Sequence, residues 1–237
     1  MMTTPPRILD PRAVPVAGHD SHLPPISSDR LTAPALRERF AWRRDWQAEH
    51  PGDGGRFFPD RLPVQAAVLI PLVQRPDGLH VLLTRRTEHL RDHAGQISFP
   101  GGRSEPTDAG ATGTALREAA EEVGLPADRV EVIGEMPIYT TVTHYVVTPV
   151  VGLVHPPFEL IVDKSEVDEA FEVPLGWLMD PGNHRRHVFS FEGGQREFLS
   201  MPWRCARGEY FIWGATAAML RNLYRYLADE LPRASPL

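Results

Sequence analysis

The pattern of apolar and polar residues divides the chain at about residue 62. Residues 1–30 are rich in proline, serine and histidine and show no apolar period, so we predict a disordered tail there. In residues 34–50, Leu36 and Phe40 are four positions apart on one side, and Trp42 and Trp46 repeat that spacing on an adjacent side, which predicts a helix; prolines and glycines follow it. Residues 31–61 are therefore interpreted as a helix and a linker, with the helix serving as a lid or packing arm.

Short apolar segments separated by turn residues predict one domain over residues 62–233. It begins with a hairpin, because residues 64–72 and 80–84 are strand-like and flank the turn Arg75-Pro76-Asp77-Gly78. Helices are predicted at residues 112–123, where Gly124 ends the apolar period, and at 216–230. The remaining predicted strands are 96–99, 129–135, 144–153, 171–179 (running into a short helix) and 208–213. Strands and helices mix without strict alternation, which favours a layered α/β or α+β fold.

Composition and charge limit the classes of function. Hydrophobic residues make up 42% of the 237 residues and charged residues 24%, a mixture typical of a soluble globular protein. The formal net charge of −6 disfavours a nucleic-acid partner, because an acidic surface repels phosphate backbones. Cys205 is the single cysteine, so neither an intrachain disulfide nor a cysteine-rich metal site can form.

Signals for export or membrane insertion are not found in the sequence. Prolines interrupt the apolar residues of segment 1–22, unlike a signal peptide, and the apolar stretch at 66–72 is too short to span a bilayer. We therefore expect a cytoplasmic protein without a membrane partner. The sequence does not indicate its oligomeric state.

The segment Arg117-Glu118-Ala119-Ala120-Glu121-Glu122-Val123-Gly124 concentrates negative charge. Residues three and four apart share a helix face, so Glu118, Glu121 and Glu122 project to one side. Each like-charge pair costs about 0.2–0.5 kcal/mol, and the negative end of the helix dipole adds about 0.3–1 kcal/mol per charge. A divalent cation would reverse these terms, and carboxylate oxygens favour Mg²⁺ or Mn²⁺. The alternative is a solvated acidic face in which Arg117 pairs with Glu121.

A strand that ends in glycines, Phe99-Pro100-Gly101-Gly102, precedes this helix. Glycines there allow a backbone carbonyl to approach a metal without an intervening side chain, although Gly-Gly turns are also common without a metal. A strand, a glycine turn, a loop and a glutamate-rich helix together form a more specific pattern than any one of them.

With these residues in place, the chain resembles the Nudix hydrolase family. The family signature begins at Gly102 and closes with residues 117–125. Asp108 stands where the signature has its first glutamate, and the arginine comes one residue late, with Ala109 at the strict spacing. The first acidic position is left to Asp108, to Glu105 or to no residue. The resemblance implies an α/β/α sandwich with a mixed sheet and a metal-dependent diphosphatase.

A narrower resemblance, to the coenzyme A diphosphatase branch, lies just upstream. It rests on Leu82-Leu83-Thr84-Arg85-Arg86-Thr87, on Arg91 and on Gly95-Gln96-Ile97-Ser98-Phe99-Pro100-Gly101-Gly102. That branch more usually has Ser or Ala where Thr87 stands. The resemblance implies hydrolysis of coenzyme A or its thioesters to 3′,5′-ADP and (acyl-)4′-phosphopantetheine.

The resemblance also implies roles for individual residues. A bound cation would bridge the diphosphate oxygens and lower the pKa of the attacking water. Arg117 would orient a glutamate, and the general base is left open between Glu118, Glu121 and a carboxylate on a later loop. The implied metal ligands are Glu118, Glu121, Glu122, Glu166 and a backbone carbonyl at Gly101 or Gly102. For Glu166 the alternative is an ordinary charged loop.

Basic and polar residues of the upstream signature are the predicted substrate contacts. Guanidinium groups suit phosphate recognition, and coenzyme A carries a 3′-phosphate. The alternative is a surface loop in which the arginines balance Glu88 and Asp92. The predicted substrate-binding residues are Arg85, Arg86, Arg91, Gln96 and Ser98.

Three other functions stay open on the sequence alone. The same fold is compatible with a different substrate, such as ADP-ribose, NADH or a nucleoside triphosphate. A Nudix-fold protein that binds ligand without catalysis is a second possibility, although such proteins often lack the helix glutamates. The third is an unrelated globular domain with an acidic helix.

Overall fold

Side chains alternate along the strand Val64–Arg75 so that both of its faces are buried. Ala67, Leu69 and Val73 belong to one apolar core, whereas Ala66 and Ile70 belong to another on the opposite face. A strand buried on both sides requires a layer of structure over each face. The computed structural model describes residues 8–42, 46–52, 62–87, 95–192 and 194–229.

Strands and helices are numbered along the chain. The strands are β1 (Val16–His19), β2 (Val64–Arg75), β3 (Gly78–Arg86), β4 (Ile97–Ser98), β5 (Gly101–Arg103), β6 (Val130–Glu135), β7 (Tyr139–Thr140), β8 (Tyr145–Val154), β9 (Val167–Pro174), β10 (Arg185–Phe191), β11 (Gly194–Cys205) and β12 (Gly208–Trp213). The α-helices are α1 (Ala33–Ala41), α2 (Gly110–Val123), α3 (Leu175–Leu178) and α4 (Gly214–Ala228). Short 3₁₀ turns lie at Pro11–Ala13, Ser28–Leu31, Ala127–Arg129 and Pro181–Asn183.

An eight-stranded sheet in the order β4-β3-β2-β8-β6 forms the middle layer, with β5 on β2, β7 on β8 and β9 on β3. β2 and β8 run parallel and the other neighbours run antiparallel, so the sheet is mixed. The predicted hairpin is confirmed: Arg75 pairs with Gly78, which takes the positive φ of +126° that glycine favours.

Helices cover both faces of this sheet. Ala115, Ala119 and Val123 of α2 pack in the core that holds Ala67 and Leu69. On the other face, apolar residues of α1 and α4 share a core with β2, β3 and β8. The layered α/β/α arrangement with a mixed sheet is therefore confirmed.

A second sheet, in the order β1-β10-β11-β12, packs beside the first, with α4 lying on β11 and β12. Sequence analysis assigned no element to residues 185–205, where β10 and β11 lie. Both strands mix aromatic, charged and small residues and have no clean alternation that would separate a strand from a loop. Their pairing with each other and with β12 fixes them.

The N-terminal segment differs from the predicted disordered tail. Strand β1 pairs with β10 through Val16 and His187, and Ile8 and Val14 pack against Phe198. The partners of this segment are distant in sequence, so the local pattern of apolar and polar residues could not predict these contacts. Within the described residues, no helix has the length and apolar character needed to cross a membrane.

The predicted helix over residues 34–50 is shorter in the structure, where α1 ends at Ala41 and Trp42 turns into extended backbone. Leu36 and Phe40 are buried as predicted. Residues 46–50 are not helical, and 43–45 lie outside the described residues. The apolar repeat of Trp42 and Trp46 was therefore wrongly interpreted as a second helical stripe.

Candidate metal and catalytic site

Helix α2, which carries the predicted acidic residues, lies on one face of the central sheet. Its apolar side chains pack on the sheet, whereas Glu121 is exposed and Glu122 is buried at the helix end. Gly124 ends the helix with a φ of +68°, and its N–H donates to the carbonyls of Ala119 and Ala120. The segment between β8 and β9 packs on this helix end, where the N–H of Asp163 donates to the carbonyl of Glu122 over 2.9 Å.

Glu122 is almost completely withdrawn from water, with 5% of the residue exposed. Its Oε2 accepts a hydrogen bond of 3.2 Å from the N–H of Gly101. Burial raises the pKa of Glu122 to about 7, and the negative charges of Glu118 and Glu166 act in the same direction. A buried carboxylate among like charges is the environment that a cation would relieve.

The two glycines of β5 let the strand approach the helix closely. A Cβ at Gly102 would lie 2.5–2.8 Å from the carboxylate atoms of Glu118. At Gly101, which has a φ of +156°, a Cβ would lie 2.5 Å from the carbonyl oxygen of Ala67. Glu118 and Glu122 are therefore brought together around the Gly101–Gly102 backbone.

Arg117 holds two of the predicted glutamates. Its Nη1 lies 3.0 Å from Oε1 of Glu118 and 2.9 Å from Oε2 of Glu121. Burial raises the pKa of Glu118, although Arg117 acts in the opposite direction. Glu121 has a side chain that is 59% exposed. Arg117 thus contacts Glu118, a candidate metal ligand, and also pairs with the exposed Glu121. Its role in orienting a catalytic glutamate stays a prediction.

Of the two acidic residues considered for the first acidic position, Asp108 is the one whose side chain contacts Arg117. Oδ1 of Asp108 accepts from Nε of Arg117 at 2.9 Å and Oδ2 accepts from its Nη2 at 3.0 Å. Hydrogen bonds from Arg117 hold the pKa of Asp108 well below its usual range. Glu105 contributes its backbone N–H, which donates to Asp108 over 2.8 Å. Asp108 therefore contacts the arginine and not the metal-site glutamates.

A residue that sequence reasoning missed supports this pair. Thr114 is fully buried, and its Oγ1 lies 2.8 Å from Oδ2 of Asp108. The available signal was its helical spacing, because Thr114 precedes Arg117 by one turn and so shares its face.

Glu118, Glu122 and the Gly101–Gly102 backbone form a set of oxygen donors that fits a hard divalent cation. Among the described residues, no three His, Cys, Asp or Glu side chains come together as a ready-made metal-binding cluster. Glu121 turns toward Arg117, and Glu166 is exposed, with its carbonyl accepting from the N–H of Thr87 at 3.0 Å. The fit is to an ion such as Mg²⁺, which takes few protein ligands and fills its shell with water and phosphate.

The predicted arginines do not form one group. Successive strand residues point to opposite faces, and Leu82 belongs to the α2-side core whereas Leu83 belongs to the opposite core. Arg86 continues the α2 side, with Nη1 at 3.9 Å from Oε1 of Glu122. Arg85 instead pairs with Asp168 at 2.7 Å and Glu169 at 3.0 Å. Its assignment as a substrate contact is therefore unsupported, and Arg91 lies outside the described residues.

The two polar residues of the upstream signature also separate. Oγ of Ser98 lies 3.2 Å from Oγ1 of Thr84, across the β3–β4 pair. Gln96 places Nε2 at 3.8 Å from the position of a Cβ on Gly214, where α4 begins. Ser98 is thus engaged with a neighbouring strand, whereas Gln96 lies at the start of a helix.

Comparison of the sequence with known protein families and with known proteins gives matches to one family. The family model described as the NUDIX domain matches residues 63–191. The chain is 47% identical over 161 residues to the "Uncharacterized Nudix hydrolase NudL" of Escherichia coli K12, covering 67% of this chain and 80% of that protein. The protein of the same description from Shigella boydii serotype 18 has the same identity and coverage.

Among solved structures, the chain is similar to the Nudix hydrolase RenU of M. smegmatis. The identity is 22%, the match covers 50% of this chain and 75% of that chain, and the TM-score is 0.42. A C. elegans Ap4A hydrolase binary complex matches at 16% identity over 46% of this chain and 80% of that chain, with a TM-score of 0.41.

Proposed function

The chain belongs to the Nudix hydrolase family and is an enzyme that acts on a nucleoside diphosphate derivative, and from that premise we propose that its substrate is coenzyme A or a coenzyme A thioester. The reaction adds water across the diphosphate. It breaks one P–O bond and releases 3′,5′-ADP and the (acyl-)4′-phosphopantetheine.

The observation that carries this proposal is the position of Arg86. It belongs to the upstream segment that resembles the coenzyme A diphosphatase branch, and its guanidinium group lies beside the buried carboxylate of Glu122. A guanidinium group at this place suits the phosphate oxygens of a substrate held against the glutamates. Arg85, on the opposite face, is not part of the proposed contact.

Glu118 and Glu122, with a carbonyl of Gly101 or Gly102, would hold Mg²⁺ or Mn²⁺. When bound, such a cation neutralises charge on the diphosphate and promotes ionisation of water. Glu166 is the proposed additional ligand, since its charge acts on both Glu118 and Glu122.

The residues of the chain itself position the substrate and move the proton. Arg86 binds diphosphate oxygens and keeps the scissile bond over the helix end. Arg117 fixes the carboxylates of Glu118 and Glu121, and one of these two accepts the proton of the attacking water. Arg117 is a positioning residue in this scheme and does not touch substrate.

Product analysis tests the proposal. The protein is incubated with Mg²⁺ or Mn²⁺ and, separately, coenzyme A, acetyl-coenzyme A, ADP-ribose, NADH and dGTP, and the products are identified by mass spectrometry. We expect 3′,5′-ADP and the phosphopantetheine product with the highest kcat/KM. Faster cleavage of ADP-ribose, NADH or dGTP would assign a different substrate to the same site, and absence of cleavage of all five would refute the proposal.

Arg86 gives a matched comparison within this test. Arg86→Met should raise the KM for coenzyme A, whereas Arg85→Met should leave it near the wild-type value because Arg85 faces Asp168 and Glu169. Equal effects of the two substitutions would contradict the proposed role of Arg86.

A further inference from the structure

We propose that Thr114 is a positioning residue for the reaction, because its buried hydroxyl fixes the carboxylate of Asp108. Asp108 in turn fixes Arg117, which holds the proposed catalytic carboxylates. The inference rests on the proposed function, since it concerns the carboxylates assigned there.

The spacing along α2 places the relevant side chains on one face. Thr114, Arg117 and Glu121 follow each other at intervals of three and four residues, which brings them into line along the helix. Thr114 is fully buried at the inner end of this line, whereas the side chain of Glu121 is exposed at the outer end. Arg117 connects the two, and its guanidinium plane determines where the glutamates lie.

To hold the guanidinium plane of Arg117, the carboxylate of Asp108 must itself be held by other hydrogen bonds. Its two oxygens accept Nε and Nη2 of Arg117 at 2.9 Å and 3.0 Å, a paired geometry that demands a fixed carboxylate orientation. Oδ2 also accepts from the backbone N–H of Glu105 at 2.8 Å and from Oγ1 of Thr114 at 2.8 Å. The loop supplies one of these supports and the helix supplies the other, so Thr114 ties the loop to the helix.

The loop that carries Asp108 has one residue more than the family signature, so a contact between the loop and the helix is needed to fix the position of Asp108. Gly110 absorbs the extra residue with a φ of +71°, and its N–H donates to the carbonyl of Asp108 at 2.9 Å. Ala109, at the N-cap of α2, makes no side-chain cap. The side chain of Asp108 is thereby directed along the helix toward Arg117 and does not cap its first turn.

A threonine inside a helix commonly hydrogen-bonds the carbonyl four residues earlier, which would be a purely local role. Oγ1 of Thr114 lies 3.3 Å from the carbonyl of Gly110, but 2.8 Å from the ionised Oδ2 of Asp108. Hydrogen bonds to charged acceptors are shorter and stronger than neutral ones, so the hydroxyl proton goes to Asp108. Oγ of Ser104, at 3.1 Å, completes the surroundings of the hydroxyl.

Steady-state kinetics with coenzyme A and Mg²⁺ test the role. Thr114→Val keeps the shape of the side chain and removes the hydroxyl, and we expect kcat to fall about 10- to 100-fold with KM within about twofold. Thr114→Ser keeps the hydroxyl and should retain kcat within about threefold of the wild-type value. Thr112→Val is the matched control: Thr112 lies on the same helix, but its hydroxyl contacts Glu135 of β6 at 3.3 Å, so the substitution should not affect kcat.

A second readout needs no substrate. Hydrogen exchange of the Nε–H of Arg117, measured by ¹⁵N NMR on the metal-free protein, should accelerate in Thr114→Val and return to the wild-type rate in Thr114→Ser. If wild-type protein does not cleave coenzyme A and the exchange rates still respond in this way, the proposed substrate fails and the positioning role of Thr114 stands.

Non-additivity gives the decisive comparison, because Thr114 is proposed to act through Asp108. In an Asp108→Asn background, Thr114→Val should cause little further loss of kcat and little further change in Arg117 exchange. Additive losses, or a Thr114→Ser variant as impaired as Thr114→Val, would overturn the inference. Unchanged kcat and exchange in Thr114→Val would overturn it as well.

Discussion

Glu122 combines two properties that a structural residue at a helix end does not need: a carboxylate and nearly complete burial. Because its pKa is raised to about 7, ionising it in the folded protein costs free energy at neutral pH. Glu122→Gln keeps an acceptor for the N–H of Gly101 and removes that cost. We expect activity to fall by orders of magnitude, and the metal-free variant at pH 8 to be about 1–2 kcal/mol more stable than wild type.

The measurement pairs kcat with the free energy of unfolding in urea. Glu197→Gln, on an exposed position of β11, is the control and should change neither quantity. Full activity in Glu122→Gln would remove this residue from the site.

At the same scale, the residues that sequence analysis placed correctly are those whose positions follow from helical spacing. Glu118, Glu121 and Glu122 were predicted to project to one side of α2, because the helix was identified with its end at Gly124. In the structure Glu118 and Glu121 meet at Arg117, and Glu118 and Glu122 lie against the Gly101–Gly102 backbone. Asp108 lies on a loop with one extra residue, and no spacing rule gives the direction of a loop carboxylate. Arg85 and Arg86 were grouped because β3 was predicted to end at Thr84, whereas it continues to Arg86 and sends the two side chains to opposite faces.

At the scale of elements, the end of α2 determines where the following segment packs. A Cβ at Gly124 would lie 2.9 Å from the backbone N of Ile161 and 3.0 Å from its carbonyl oxygen, and the φ of +68° is unfavourable for alanine. Gly124→Ala should therefore destabilise the fold by about 1–3 kcal/mol. It should also lower activity, because segment 161–166, which carries Glu166, must move.

Gly113 provides the matched control within the same helix. A Cβ there would lie 3.4 Å from the Cβ of Ala109, an ordinary contact, and helix interiors favour alanine over glycine. Gly113→Ala should stabilise the protein by about 0.5–1 kcal/mol in urea unfolding. Stabilisation by both substitutions, or by Gly124→Ala alone, would refute this account of the helix end.

Elements with strong local patterns were predictable, whereas those defined by distant partners were not. The β2–β3 hairpin, α2, β12 and α4 were found close to their observed bounds, because turn residues or apolar periods mark them. β1 and β10 pair with each other across most of the chain length, and neither has an apolar pattern of its own. The predicted boundary of the domain at residue 62 stays a prediction.

At the scale of the whole molecule, a buried charge network joins segments from both ends of the chain. Arg221 of α4 is fully buried and pairs with Asp20 at 2.9 Å and Glu49 at 2.8 Å. Arg221→Met removes the buried partner of Asp20 and leaves it only Arg186, whose side chain is 42% exposed, so we expect a loss of up to about 3–5 kcal/mol in unfolding free energy. Arg225→Met is the control: Arg225 also pairs with Glu49, but its side chain is 36% exposed, so the loss should be below about 1 kcal/mol. Equal losses would contradict the importance of burial.

The same network makes stability depend on pH in a defined direction. Nδ1 of His184 accepts from Nη1 of Arg221 at 3.1 Å and its Nε2–H donates to the carbonyl of Leu178 at 2.8 Å, so the buried ring is neutral. Burial lowers the pKa of His184 to about 4, and burial also lowers the pKa of His50. At these two histidines the unfolded chain therefore binds more protons than the folded chain below about pH 6.5, and their contribution to stability is lost as the pH falls from there toward 4. The raised pKa of Glu122 acts in the opposite direction between about pH 7 and 4.5.

Glu49 adds a second pH range, lower than that of His184, in which the free energy of unfolding falls with pH. Burial opposes its ionisation, but hydrogen bonds from Arg221 and Arg225 outweigh burial and lower its pKa to about 2, so its contribution is lost as pH falls below about 4.5.

His184→Gln retains an acceptor for Arg221 and a donor for Leu178 without titrating. Between pH 6.5 and 4.5 the variant should lose about 1–3 kcal/mol less unfolding free energy than wild type, because His50, Glu118 and Glu122 contribute equally to both proteins. Below pH 4.5 the two curves should become parallel as the pH approaches 4, because the His184 contribution is then lost and Glu49 is unchanged. Urea unfolding at pH 7.5, 6, 5 and 4 measures both pH ranges, and parallel curves throughout would show that His184 is protonated equally in the folded and unfolded states.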